Sequence, residues 1–320
     1  MKIRNIGKML MQTFNDFMEY KVLRMSAALA YYTVFAIGPM LIVIITLCDV
    51  FYGREAIEGS IYGQINDFVG ASAAAQIQEI LKNATVSNDI SWASVIGVVS
   101  LIFAATGVFT EIQDSINSIW RLKAKPKKGQ GLLKFVLNRL LSFSMIVGLG
   151  FVLLVSLLVN AIMDALSTRL MSHFPEIQVF VAYIINYAVT FFIITFLFAG
   201  IFKILPDARV QWKDVWKGAL ATAFLFMLGK FGISFYLSKS NVSGAYGAAG
   251  SMVIILLWVY YSSAILYFGA AYTRVHACMK GREIYPNEYA VFLVQVEEES
   301  KASIAEQPAP VHKELPTATS

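Results

Sequence analysis

Residues 247–272 read Gly-Ala-Ala-Gly-Ser-Met-Val-Ile-Ile-Leu-Leu-Trp-Val-Tyr-Tyr-Ser-Ser-Ala-Ile-Leu-Tyr-Phe-Gly-Ala-Ala-Tyr, a run without one charged side chain. An apolar run of ~20 residues is enough to cross a hydrocarbon core of ~30 Å as an α-helix. Five more such runs precede it, near 27–48, 92–111, 137–160, 179–202 and 215–236. Lipid offers no partner to backbone N–H and C=O groups, and a helix satisfies its own. The expected fold class is therefore an all-α integral membrane protein with six transmembrane helices.

Composition agrees, with 57% hydrophobic and 15% charged residues, and a mean hydropathy of +0.62, outside the range of a soluble domain of this size. The first run starts near Ser26, too late and too long for the core of a cleaved signal peptide, and reads as a retained span.

The connecting charges set the orientation. Lys2, Arg4, Lys8, Lys21 and Arg24 precede the first span, and Arg121, Lys123, Lys125, Lys127, Lys128 and Lys134 lie between the second and third. Lys203, Arg209 and Lys213 follow the fourth, and Arg274, Lys280 and Arg282 the sixth. Alternate loops hold few basic residues, which predicts that both termini are cytoplasmic. The net charge of +5 is explained by this bias and by anionic headgroups, so no nucleic-acid partner is expected. Cys48 and Cys278 fall at opposite faces and cannot form a disulfide with each other.

Three regions lie outside the spans. Over 1–25, Ile3, Ile6, Leu10, Phe14 and Phe17 recur at helical spacing against Arg4, Lys8, Gln12, Asn15 and Glu19, which predicts an amphipathic interfacial helix. Between the first two spans, Ile57, Ile61, Ile65 and Phe68, then Ile77, Ile80 and Leu81, predict two short helices capping the outer face. The six-helix domain covers 26–282, and 283–320 forms a cytoplasmic tail, disordered from about 300, where the Ala/Ser/Pro/Glu-rich composition cannot bury a core.

Ala27-Ala28-Leu29-Ala30-Tyr31-Tyr32 with Phe35 and Pro39, in the first span, resembles the opening motif of the YihY/BrkB family of bacterial inner-membrane proteins. Asn117-Ser118-Ile119-Trp120, Leu205-Pro206, Trp216 with Gly218, Tyr246-Gly247, Leu256-Leu257-Trp258-Val259-Tyr260 and Gly269-Ala270 follow in the order of that family. Ala36 and Ala271 depart from it, standing where a Ser and a Glu are common. The resemblance implies a six-helix inner-membrane protein, historically also named for ribonuclease BN. A metal nuclease needs clustered His and carboxylate ligands, whereas His173, His276 and His312 lie on different segments.

Neither a Walker-type Gly-rich loop nor a Gly-x-Ser-x-Gly nucleophile elbow is present, and the expectation is a protein that is not an enzyme and uses no cofactor and no metal. Polar residues within the spans are then the functional candidates. Lys230 lies in the outer half of the fifth span, with Ser234 and Tyr236 nearby and Asn186 and Tyr187 at similar depth on the fourth. Pro39 frees a backbone carbonyl on the first span, and Gly247 and Gly250 belong to a small-residue stretch suited either to close packing or to an unwound helix start. Arg24, Glu111, Asp114, Asn117 and Arg139 are expected to meet as a cytoplasmic charge cluster, a cation or proton site or a salt-bridged collar. These residues suggest a transporter or lipid-translocating factor for an anionic or amphiphilic substrate, partnered by membrane lipids. The other reading is a non-transporting scaffold that supports an envelope assembly and binds envelope proteins.

Overall fold

The computed structural model describes residues 3–51, 75, 90–125, 175–239, 250–288 and 290–294. Within them the chain forms α1 (Ile3–Glu19), α2 (Val22–Phe51), α3 (Ile90–Ile119), α4 (Pro175–Ile204), α5 (Trp212–Lys239) and α6 (Gly250–Met279). Four short strands accompany them, β1 (Leu122–Ala124), β2 (Ala208–Arg209), β3 (Tyr285–Pro286) and β4 (Ala290–Phe292). Helices α2 to α6 coincide with five of the predicted spans. The third, 137–160, most of the outer cap and the tail beyond 294 lie outside the described residues.

Each long helix has 28 or 30 residues. At ~1.5 Å per residue this is roughly 42 to 45 Å, more than the ~30 Å of a hydrocarbon core. Among the described residues, Tyr187–Ile204 and Met252–Met279 meet the length and hydropathy expected of a membrane-crossing helix. The bundle also leaves large apolar side chains such as Phe103, Phe192, Phe196, Phe224, Phe231 and Phe235 exposed. Water would penalise so much apolar surface, whereas lipid accepts it. The fold is that of an all-α membrane protein.

Local chemistry sets the helix ends. Pro175 opens α4, where its fixed φ suits the first turn, and Pro206 disfavours helical geometry at Leu205 just past the other end. Helix α6 closes on Gly281 at φ +69°. There the Arg282 N–H donates to the Ala277 carbonyl at 3.0 Å and the Gly281 N–H to the Cys278 carbonyl at 2.9 Å, a Schellman end. Lys21 and Arg121 end α1 and α3 at φ 52° and 58°, a region that strains residues with a Cβ. Helix α2 continues through Pro39 to Phe51.

The helices pack in the pairs α2–α3, α2–α6, α5–α6, α4–α5 and α1–α6. Ile116, Ile119 and Trp120 of the α3 end, Phe202 of α4, Val215 and Ala219 of α5 and Tyr267 and Ala270 of α6 are buried together. The two small antiparallel sheets, β1–β4 and β2–β3, were not foreseen from the sequence. They fold the segment after α6 back over the ends of α3 and α4, pairing Leu122 with Phe292 and Ala208 with Pro286.

Helix α1 is amphipathic as predicted, but it does not bury its apolar stripe in the bundle. It turns Met9, Thr13, Asp16 and Tyr20 inward, with Phe17 against Phe268 of α6 at 6.0 Å between ring centroids. Leu10, Met11, Phe14 and Met18 remain exposed, leaving an apolar face for the lipid interface.

Candidate functional site

The C-terminal ends of α1, α3, α4 and α6 and the N-terminal end of α5 gather at one end of the bundle. Polar side chains that are far apart in sequence meet there in three clusters.

The first joins α1, α3 and α6. Arg274, in the penultimate turn of α6, is largely buried, and its Nη1 donates to Asp16 Oδ2 at 3.1 Å, to Tyr20 Oη at 3.2 Å and to the Ile119 carbonyl at 3.3 Å. Arg121 Nε donates to the same tyrosine hydroxyl at 2.5 Å, and its Nη2 lies 3.6 Å from Glu19. A buried guanidinium needs its carboxylate partner, and the carbonyl end of α3 is a favourable place for a cation.

The second cluster joins α3 to the loop after α4. Asn117 donates from Nδ2 to Asp207 Oδ2 at 3.1 Å and accepts the Asp207 backbone N–H at 2.9 Å. Asn287 donates to the other carboxylate oxygen at 3.4 Å. Three residues along α3, Trp120 Nε1 donates to the Ala270 carbonyl at 2.9 Å.

The third holds the start of α5 against the end of α6. Asp214 is buried in the first turn of α5, with His276 Nδ1 3.0 Å from its Oδ1. Arg282 grips the carboxylate with two donors, Nε to Oδ2 at 2.9 Å and Nη2 to Oδ1. Burial pushes the Asp214 carboxyl up, but the hydrogen bonds from Arg282 and His276 and their charges outweigh this and hold it below its ordinary 3.8.

Between the first cluster and β4 lies a cavity of about 710 Å³, lined by Arg121, Arg274, Glu19 and Glu283 and by the aromatic residues Tyr20, Trp120 and Phe292. Cys278 is exposed and opens onto it.

The residues singled out from sequence are distributed differently. Asn117 bonds Asp207 and not the expected cluster; Glu111 accepts from Ser115 at 3.3 Å on its own helix. Asp114 and Arg24 are exposed, and Arg24 forms no ion pair among the described residues. Arg139 and Gly247 lie outside them.

Lys230 is half-buried on α5 and engaged by a partner. On either side of it, Gly229 abuts Tyr261 of α6, whose hydroxyl would lie 2.0 Å from a Cβ built there, and Phe231 meets Tyr187 of α4 at 6.2 Å. Tyr187 and Tyr236 are exposed, and Gly250 is buried where α6 starts. Asn186, Ser234 and Pro39 lie on α4, α5 and α2 at positions whose side chains are outside the described set. No group of three or more His, Cys, Asp or Glu residues suited to a metal ion occurs among the described residues.

Sequence reading missed Asp16, Tyr20, Asp207, Asp214, His276 and Asn287. The one local signal, carried by Tyr20, Asp207, Asp214 and His276, is a place within about two turns of the end of an apolar run, as any solvated helix end has; Asp16 and Asn287 lie further out and lack even that.

Similarity to known proteins is consistent with this architecture. The family model described as Virulence factor BrkB matches residues 13–288. The chain is 28% identical over 261 residues to a UPF0761 membrane protein of Xanthomonas campestris pv. campestris, covering 80% of this chain and 57% of the relative. It is 29% identical over 251 residues to a UPF0761 membrane protein of Pseudomonas paraeruginosa, covering 77% and 57%. The chain thus spans less than two thirds of the length of these curated relatives. No solved structure matches it.

Proposed function

This chain belongs to the BrkB family of bacterial membrane proteins, and from that membership and the geometry above we propose that it is a six-span inner-membrane transporter or lipid-translocating factor. Both termini and the polar end of the bundle face the cytoplasm, following the excess of basic residues there. Its substrate is anionic or amphiphilic.

The observation that carries this reading is Lys230. A cation within a span costs a few kcal/mol by insertion scales and is retained where it has work to do. Lys230 is half-buried between residues that touch α6 on one side and α4 on the other, a position from which an anionic group moving along the seam would meet it. The exposed stripe of α1 supports an amphiphilic substrate, since it supplies apolar surface at the interface.

The test is transfer of labelled phospholipid across proteoliposomes containing wild-type protein, Lys230→Ala and Lys230→Arg, beside empty liposomes. Transfer that is lost in Lys230→Ala and kept in Lys230→Arg supports the proposal. Transfer no faster than in empty liposomes, or equal in all three proteins, removes it.

A further inference from the structure

The cavity at the polar end of the bundle has the size of a small-molecule site, a class that spans roughly 300 to 1,000 Å³, and its lining carries charges of both signs. Arg274 spends only Nη1 on Asp16, Tyr20 and Ile119. A guanidinium carries five N–H donors in a fixed fork, and Nε and Nη2 of Arg274 have no acceptor among the described residues. Arg121 uses Nε on Tyr20 and directs Nη2 toward Glu19, which leaves Nη1 in the same condition. Two guanidiniums that converge on the Tyr20 hydroxyl and keep unspent donors match a phosphate group.

The other lining charges are carboxylates. Glu19 is only loosely held by Arg121, and Glu283 forms no ion pair among the described residues. The C-terminal ends of α1, α3 and α6 add partial negative charge. A simple anion would meet the two guanidiniums but would face these carboxylates as well. A group carrying both signs satisfies both. Phe292, exposed and lining the same space, gives an ammonium aromatic surface to rest on, while the Tyr20 ring already carries the Arg274 guanidinium at 5.7 Å.

We propose that this cavity binds a phosphoethanolamine group, with the phosphate held by Arg121 and Arg274 and the ammonium by Glu19 and Glu283. The group is the headgroup of a membrane phospholipid or the corresponding water-soluble glycerol ester. The site lies outside the predicted spans and does not depend on the transport reading.

The test is calorimetric titration of the purified full chain in detergent with dihexanoyl phosphatidylethanolamine, dihexanoyl phosphatidylglycerol and glycerophosphoethanolamine. Glu283→Gln and Arg121→Gln are compared with wild type after their thermal midpoints are checked. Glu283 is exposed and forms no ion pair among the described residues, so its variant is expected to fold normally. The expected result is saturable binding of the ethanolamine lipid. Glu283→Gln weakens that binding about tenfold, as for loss of one charge-assisted contact, and leaves the weaker phosphatidylglycerol binding unchanged; Arg121→Gln weakens both. Binding of glycerophosphoethanolamine with similar affinity supports the site with a soluble ligand, and binding of the lipid ester alone supports it with a lipid. Equal affinity for the two lipids in wild type, no effect of Glu283→Gln, or no binding of either ethanolamine compound overturns the proposal.

Discussion

Thr222 of α5 and Gly269 of α6 lie so close that a Cβ built on Gly269 would sit 1.8 Å from Thr222 Oγ1, and the same relation holds with the helices exchanged between Thr273 of α6 and Gly218 of α5. Each threonine hydroxyl donates to the glycine carbonyl four residues earlier on its own helix, Thr222 to Gly218 at 2.7 Å and Thr273 to Gly269 at 2.8 Å. Two reciprocal notches thus bring the backbones of α5 and α6 together, as small residues do between membrane helices.

Gly269→Ala and Gly218→Ala should each destabilise the protein by about 2 kcal/mol, within the range for overpacking a tight contact. Thr222→Ala should recover part of the loss in Gly269→Ala, because Oγ1 is the atom in closest conflict, while Thr222 Cβ, 2.9 Å from the new carbon, keeps the recovery incomplete. Thermal midpoints of the single and double variants in detergent check this; an additive double variant would contradict it.

Asp214 makes stability depend on pH. Its folded-state pKa is lowered from 3.8, so the folded state binds fewer protons than the unfolded chain. The stabilisation is therefore full above pH 3.8 and is lost as pH falls through the folded value. Asp214→Asn should cost about 3 kcal/mol at neutral pH, because it strips a buried partner from Arg282 and His276, and it should flatten the acid limb of the stability curve. Unfolding midpoints across this pH range, measured for both proteins, report the slope.

Asn117 is both donor and acceptor to Asp207. Asn117→Asp would bring two carboxylates together in a buried site, so its destabilisation should be greatest at neutral pH and shrink on acidification. Asn117→Leu, which removes the bonds without adding charge, should lack that dependence at comparable cost. The same midpoint measurement separates them.

Lys21 is exposed and ends α1 at φ 52°. Left-handed geometry costs an ordinary residue roughly 1 kcal/mol or more, which Gly escapes at some cost in unfolded-chain entropy. Lys21→Gly should raise stability by about 0.5 kcal/mol. The equivalent Arg121→Gly should lower it, since Arg121 also bonds Tyr20.

The helices were legible in the sequence because an uncharged run such as 247–272 and terminators such as Pro206 act locally. The polar end was not, since Asp214 and His276 are 62 residues apart and Asn117 and Asp207 are 90 apart, and no local period links them. Helix α1 shows a different limit. Its period was readable, but not which side would be buried, because Asp16 follows Arg274 inward and leaves Phe14 outside. Small-residue packing was expected at Gly247 and Gly250, the first of them outside the described residues, and the four-residue spacing of Gly218 with Thr222 and of Gly269 with Thr273 carried a further signal that went unread. The family motifs, in contrast, proved to be mutual partners, since Trp120 of one bonds Ala270 of another.

All the hydrogen bonds between side chains of different helices described above lie at one end of the bundle, and the reciprocal glycine notches sit just inside it. Mechanically, α5 and α6 are clamped together twice, at the notches near Gly218 and Thr273 and again about 16 Å further along, where Gly229 abuts Tyr261. The arm of α5 beyond the second clamp, from Gly229 to Lys239, is roughly 15 Å at ~1.5 Å per residue, so a tilt of about 5° displaces its tip by only about 1 Å.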